Sequence, residues 1–482
     1  MQWTHDVIVV GAGAAGLTAA GGLARLGLAV ALIEKGRMGG ECLNTGCVPS
    51  KALIAAARRA HEIKDAGRFG IRTEMPTVDF EVVRAHIQAA IAAIAPHDSR
   101  ERFEAWGVEV IAGAARFVGD RTFTVGDRQV SAPRVVLAVG SRPRIPSING
   151  LENVPYLTNE TLFNLTELPR RLLILGGGPI GIEMAQAFRR LGSDVLVIDH
   201  SRSLAREALD AASIVVAKLK REGVAFREDA EVTAVKEPVG EIRLTFRDGN
   251  SETGSHLLVA VGRHVAPNEL NIAVGGVEAD DTGIRVDRRC RTSARGVYAI
   301  GDCRQGPRFT HAAGYEGARV VTEIGFGVPS PVTYLALPRV TYTDPELAQV
   351  GLTEEEARTA GGRIDVQVAD YAENDRAVVE GQTEGFIKTV TRNGRLVGTC
   401  IVGRDAGDLI VPWIFAIART SVSVWHLSGA VLPYPTRSEL TKQVAFARYE
   451  RLIFSKITRG GAQALARFRR WANRRDLCVP KT

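Results

Sequence analysis

The sequence predicts an α/β protein: two units of parallel sheet covered by helices, followed by a smaller α+β unit. Three observations predict it. Two glycine-rich turns, Gly11-Ala12-Gly13-Ala14-Ala15-Gly16 and Gly176-Gly177-Gly178-Pro179-Ile180-Gly181, each stand between a short apolar run and a stretch of helical character. From Pro338 onward the pattern changes to alternating apolar and polar residues with turns between them. The length, 482 residues with 45% hydrophobic residues and 50 glycines, is too great for a single core and suggests about three domains.

Taken in order, Asp6 to Val10 reads as a strand, the first glycine turn follows, and a helix runs to Leu26. Ala29 to Ile33 reads as the second strand and ends at Glu34. Glycines at this spacing let the backbone approach a pyrophosphate, and the helix N-terminus adds amide donors and a favourable dipole. An acid at the end of the second strand accepts hydrogen bonds from ribose hydroxyls. The pattern recurs: Arg171 to Leu175 is a strand, Ile182 to Leu191 a helix, and Val195 to Ile198 a strand ending at Asp199. Two such Rossmann-like units imply two dinucleotides. Val135 to Ser141 and Leu257 to Arg263 are apolar strands that end in Gly140 and Gly262 and close the two units. Gly296 to Asp302 delivers another acid at a strand end, and the alternating segments Val340 to Glu346 and Gly385 to Val390 predict an antiparallel sheet with flanking helices.

The segment Gly40-Glu41-Cys42-Leu43-Asn44-Thr45-Gly46-Cys47-Val48-Pro49-Ser50-Lys51 follows Glu34 closely. Two cysteines separated by four residues, opening a helical stretch beside a dinucleotide, suit the movement of two electrons between a cofactor and a thiol or disulfide. At that spacing the chain must distort for the sulfurs to meet, so the disulfide is expected to be reducible. The helix N-terminus and Lys51 favour thiolate over thiol. Cys290, Cys303, Cys400 and Cys478 are scattered and form no secreted disulfide framework, which predicts a cytoplasmic protein. The apolar N-terminus lacks a basic leader region and is interrupted by the glycine turn, and no run approaches the roughly 20 apolar residues of a membrane span. The nine histidines show no HxxxH spacing and the chain no CxxC, so no permanent metal site is expected.

With these residues quoted, the chain resembles the flavin-dependent pyridine nucleotide–disulfide oxidoreductases, the group of dihydrolipoamide dehydrogenase, glutathione reductase and mercuric reductase. The resemblance covers residues 5 to 447 and also rests on GVYAIGDC, YTDPELAQVG and YPTRSE. It implies an FAD domain (1–150 and 267–333), an inserted NAD(P) domain (151–266) and a C-terminal dimerisation domain (334–447), assembled as a homodimer with a shared active site. It further implies that FAD is held by Gly11, Gly13, Ala14, Ala15, Gly16, Glu34, Lys35, Gly40, Cys42, Lys51, Ala115, Gly140, Ser141, Asp302 and Ala312. The NAD(P) residues implied are Gly176, Gly178, Pro179, Ile180, Gly181, Glu183, Asp199, His200 and Gly262. Cys42 would meet the acceptor, Cys47 would lie against the isoalloxazine, and Lys51 would pair with Glu183 beside the nicotinamide. The Asp199 carboxylate favours NADH over NADPH, although His200, Ser201 and Arg202 could instead cradle a 2′-phosphate.

The chain departs from disulfide-reducing members where they carry a C-terminal His paired with a Glu five residues on. Here Tyr434 stands at that position with Glu439 at the expected spacing. A phenol of ordinary pKa about 10 is a poor proton shuttle at neutral pH. Tyrosine here resembles mercuric reductase, yet the chain has Cys478 alone where those enzymes carry a vicinal pair, and no N-terminal CxxC module. The acceptor expected is therefore a thiophilic metal ion such as Hg(II) or Cu(II), bound transiently by Cys42 and Cys47, or an unusual disulfide. Two alternatives are a dihydrolipoamide dehydrogenase with a substituted acid–base and a diaphorase-like donor to a quinone or membrane partner.

Net charge is +7, but from Arg448 to the end ten Lys or Arg face only Glu450 and Asp476, an excess of eight that leaves the rest at −1. In this basic tail (448–482), Leu465, Phe468 and Trp471 recur at spacings of three, ringed by Arg467, Arg469, Arg470, Arg474 and Arg475. It reads either as a membrane-surface helix or as a helix packed on its own dimer with a solvated basic face. No recognition motif points to nucleic acid.

Overall fold

The computed structural model describes residues 2–238, 240–265, 267–418 and 422–476. Cys478 and the domain boundary placed at residue 266 fall outside them. The chain divides into two compact units, one of Met1–Arg206, Val215–Tyr334 and Thr341–Thr343, the other of Glu207–Ile214, Leu335–Val340 and Asp344–Thr482.

The first unit carries both expected parallel sheets. One has the order Val297–Ala299, Arg134–Leu137, Val7–Val10, Val30–Glu34, Val108–Ala112, and every neighbouring pair is parallel. The other runs Ala225–Arg227, Asp194–Ile198, Arg171–Leu175, His256–Val259, again all parallel. Val7–Val10 is apolar and buried at every position, and Arg171–Leu175 is so after its first residue, as a sheet covered on both faces requires. The third glycine of each turn sets the fit of helix on strand: a Cβ on Gly16 would stand 1.8 Å from the Gly11 carbonyl oxygen, and one on Gly181 2.0 Å from that of Gly176. The stretch expected as the NAD(P) domain lies within the same compact unit as the first sheet. The helix Cys47–Asp65 packs against Pro179–Leu191, and Lys64 Nζ reaches the Arg190 carbonyl at 3.2 Å.

The second unit is α+β. Its sheet has the order Pro338–Thr341, Glu346–Gly351, Arg395–Gly403, Phe386–Arg392, Ile364–Asp370, with antiparallel pairing among the last four. Trp413, Tyr371, Leu440 and Val444 lie in its core. The run expected as one strand from Val340 to Glu346 is broken at Tyr342–Pro345, because the Tyr342 N–H goes to the Glu183 carboxylate at 2.9 Å instead of to a ladder. Helix Glu439–Ile453 runs through residue 448, and a second helix, Lys456–Asp476, carries the basic tail. Among the described residues, no helix is long and apolar enough to cross a membrane.

One buried charge positions the acid expected to reach the flavin. The strand Val297–Ala299 ends in a turn at Gly301 (φ +70°), which leads into Asp302. Glu316, fully buried on the helix Thr310–Phe326, accepts the Gly301 N–H at 2.7 Å, Arg304 Nε at 2.8 Å and the Tyr334 hydroxyl at 2.7 Å. Glu316→Ala strands the buried Arg304 guanidinium. It is expected to cost about 3–5 kcal/mol, read as a lower urea midpoint with an unchanged m-value. A midpoint matching wild type would show that the pair is dispensable to the fold.

Candidate active site

The first glycine turn and the cysteine segment meet backbone to backbone. A Cβ on Gly40 would lie 2.6 Å from the Gly13 Cα, so only glycine fits this approach. Gly13 caps the helix Ala14–Arg25 with no side chain in front of it, and Ala15 is buried behind it. Glu34, at the strand end, accepts the N–H of Ala12 and of Gly36, each at 2.6 Å. Lys35 pairs with Glu269 at 2.8 Å. Across the sheet, the Ser141 hydroxyl donates to Asp302 Oδ2 at 2.8 Å, next to Gly140 at φ +71°. Ala312 is fully buried, and Ala115 is buried at the head of the strand Ala115–Gly119.

Cys42 sits in the short helix Gly40–Asn44, and Cys47 is the first residue of the 19-residue helix Cys47–Asp65. Both are free thiols. The Cys42 thiol hydrogen-bonds to Cys47, which pulls the Cys47 pKa down to about 6. The Thr310 hydroxyl, 3.3 Å from the Cys47 sulfur, and the Lys51 ammonium act in the same direction. The same hydrogen bond, with burial, pushes Cys42 up. At neutral pH the pair therefore holds one proton on Cys42 and a thiolate on Cys47. Lys51 Nζ lies 2.7 Å from the buried Glu183 carboxylate and 4.4 Å from the centre of the Tyr342 ring.

At the second turn, Gly178 caps the helix Pro179–Leu191, and nothing stands within 4 Å of its Cβ position or that of Gly262 (φ +118°). Ile180 is exposed beside it. Asp199 accepts the Gly177 N–H at 2.6 Å and both the N–H and hydroxyl of Ser201 at 2.8 and 2.9 Å. His200 lies 3.2 Å from that carboxylate and is exposed. The Arg202 guanidinium donates to the carbonyls of Leu204 and Ala205.

Tyr434 and Glu439 belong to the second unit. The Tyr434 hydroxyl donates to Asp375 Oδ2 at 2.8 Å, and this hydrogen bond raises its pKa. Glu439, the residue expected to partner it, opens the helix Glu439–Ile453 and turns to the Thr436 N–H at 3.4 Å. Asp375, at the start of Asp375–Val379, is the carboxylate within the phenol's reach.

The family model for pyridine nucleotide-disulphide oxidoreductase matches residues 5–317, and the model for its dimerisation domain matches residues 337–445. The chain belongs to this family. Its members are enzymes that bind FAD and NAD(P)H and carry electrons between nicotinamide and a disulfide. A dihydrolipoyl dehydrogenase of Geobacillus stearothermophilus is 34% identical over 455 residues, 91% of this chain and 95% of its own. A mercuric reductase of Streptomyces lividans is 33% identical over 92% of this chain and 95% of its own. Among solved structures, LpdA of Mycobacterium tuberculosis superposes with a TM-score of 0.85 at 26% identity, over 92% of this chain and 99% of its own. RclA of Escherichia coli, an HOCl-induced flavoprotein disulfide reductase solved as a Cu(II) complex, has a TM-score of 0.84 at 26% identity, covering 93% and 100%. The residues fit the cofactors: two capped helix starts without side chains in front of them and an acid beside each turn suit two pyrophosphates and two riboses.

Sequence reasoning missed several residues around the cysteines. Arg263 donates to Glu41 Oε1 at 2.7 Å, to Ser141 Oγ at 2.7 Å and to the Ser141 carbonyl at 2.9 Å. Asn159 completes the Glu41 contacts at 2.9 Å. Thr310 and Tyr342 reach the site from 263 residues beyond Cys47 and 159 beyond Glu183. No local pattern announces such contacts.

The geometry yields a titration. In Cys42→Ser, where a hydroxyl still donates to Cys47, the thiolate absorbance lost on adding Cys47→Ser should appear as pH rises through about 6, not the roughly 8.5 of a free thiol. Lys51→Met should move the midpoint upward. A midpoint near the ordinary thiol value in both proteins would refute the assigned thiolate.

Proposed function

We propose that this chain is a homodimeric, NADH-dependent FAD reductase whose acceptor is a thiophilic metal ion, taken up by Cys42 and Cys47. Bound FAD supplies the two-electron step between nicotinamide and the cysteine pair. The two electrons and one proton carried by an NADH break the S–S bond, leaving a thiol on Cys42 and a thiolate on Cys47. Two Cu(II) ions, or one Hg(II), then take the electrons as the S–S bond re-forms and the Cys42 proton leaves to solvent. Lys51 keeps positive charge beside the Cys47 sulfur, and Glu183 holds Lys51 in place. Glu34 and Asp302 bind and orient the sugar and ribityl hydroxyls, and the first turn holds the pyrophosphate.

The choice of acceptor rests on Tyr434. Its phenol is tied to Asp375 and titrates above its ordinary value, so it keeps its proton at neutral pH. Thiol–disulfide exchange needs a group that both gives and takes a proton there, whereas reduction of a thiolate-bound ion leaves no thiol to protonate. The Cu(II) complex of RclA lends support from a similar fold. A homodimer is supported by the match to the dimerisation domain and by exposed apolar residues within it, Val411, Phe415 and Val431. The NADH preference rests on Asp199, whose carboxylate repels a 2′-phosphate while the guanidinium of Arg202 is engaged with backbone carbonyls.

NADH oxidation by the holoenzyme should rise on adding Cu(II) or Hg(II) and fall about 100-fold in Cys42→Ala. Tyr434→His should bring lipoamide or glutathione-disulfide turnover up by about 100-fold. A wild type that reduces disulfides readily and ignores soft metals would overturn the reading. In steady-state assays kcat/KM should favour NADH over NADPH at least about tenfold, and Asp199→Gly should erase that preference. Equal use of both by the wild type would refute the role given to Asp199.

A further inference from the structure

The helix Lys456–Asp476 begins after the family's dimerisation domain ends at residue 445. From Lys456 to Arg475 it holds seven basic residues and no acid. At about 100° per residue, Ile457, Ala464, Leu465, Phe468, Trp471 and Ala472 fall within one arc of about 120°. Arg467 and Arg469 flank this arc, Lys456, Arg459, Arg470 and Arg474 fill the opposite side, and Arg475 in the last turn falls on the arc itself. The apolar arc faces outward: Ile457 is 87% exposed, Leu465 50%, Phe468 60% and Trp471 50%, with the last two rings 5.9 Å apart.

We propose that this helix docks the enzyme onto an anionic bilayer surface, lying in the plane of the headgroups. An amphipathic helix of this kind buries its aromatic and aliphatic arc at the acyl boundary and sets its arginines among the phosphates. Charge complementarity selects that occupant. The rest of the chain stands at −1 and offers no net counter-charge for an excess of eight, and the tail of a second copy carries the same positive excess. An anionic leaflet supplies negative charge along the whole length of the helix at once. The body reduces its acceptor with or without this contact, so docking decides where the enzyme works, and it stands apart from the metal-ion reading.

The test is co-sedimentation of the FAD-loaded full-length enzyme with vesicles of phosphatidylcholine alone and with about 30% phosphatidylglycerol. Binding is expected only to the anionic vesicles, and it should fall at least tenfold in about 0.5 M salt. Arg467→Gln/Arg469→Gln/Arg470→Gln should weaken it roughly 100-fold. Phe468→Ser/Trp471→Ser should abolish it, with NADH oxidation unchanged in both variants. Absence of binding to anionic vesicles overturns the proposal, as does equal binding to neutral ones. Dissociation of the dimer in Phe468→Ser/Trp471→Ser, seen by sedimentation velocity, would assign the face to the subunit contact instead and equally overturn it.

Discussion

The ion pair between Lys51 and Glu183 is the contact on which the chemistry of the first unit depends. It ties the helix that begins at Cys47 to the helix that begins at the second glycine turn, so the sulfur and the second turn are held by one ion pair. Glu183 is buried, and a buried carboxylate is tolerable only with its charge answered. Lys51 answers it on one oxygen and the Tyr342 N–H on the other. The Tyr342 ring in turn lies over the Lys51 ammonium. Loss of any one of these contacts leaves the others with an unpaired charge or donor, which makes the arrangement cooperative. The same ammonium helps keep Cys47 ionised, so structural and electronic roles share one group.

Backbone chemistry explains why so much of the active site was legible in the sequence. The glycines of the two turns are dictated by close approach, which side chains would block, and the acids at the strand ends follow from the strand length. The cysteine pair and Lys51 lie within one turn-to-helix segment, where spacing translates directly into geometry. Sequence reasoning stops where partners arrive from distant segments. Arg263 and Thr310 carry no motif of their own, and Tyr342, though it opens YTDPELAQVG, shows its role only once the fold brings it to Glu183, as it brings the other two to Glu41 and Cys47. Tyr434 is the instructive intermediate case: its position was legible, but its partner was not. Spacing points to Glu439, whose charge also bears on the phenol, while the hydroxyl's hydrogen bond goes to Asp375.

Arg263 shows how a residue can be both invisible in sequence and central in space. Its guanidinium joins Glu41, the neighbour of Cys42, to Ser141, which holds Asp302. Burial pushes the Glu41 carboxyl up while the Arg263 charge beside it pulls it down. One side chain from the short strand Arg263–His264 of the first unit thus connects the neighbour of Cys42 to the acid expected at the flavin. A bidentate arginine suits such a task because its planar fork fixes orientation as well as distance.

The two cysteines differ although their sequence context is shared, and the difference follows from placement. Cys47 has the end of a long helix, a hydroxyl and an ammonium around it, while Cys42 lies in a five-residue helix and gives its own proton toward Cys47. A pair so polarised keeps electron density on the Cys47 sulfur and a neutral thiol on Cys42. With the roles proposed above, attack on an incoming disulfide needs the Cys42 thiol deprotonated, and residue 434 offers only a phenol whose hydrogen bond to Asp375 raises its pKa. A soft metal ion removes this requirement, because coordination itself displaces the thiol proton. The polarity of the cysteine pair and the identity of residue 434 therefore point the same way, although they lie in different units and arise from unrelated hydrogen bonds.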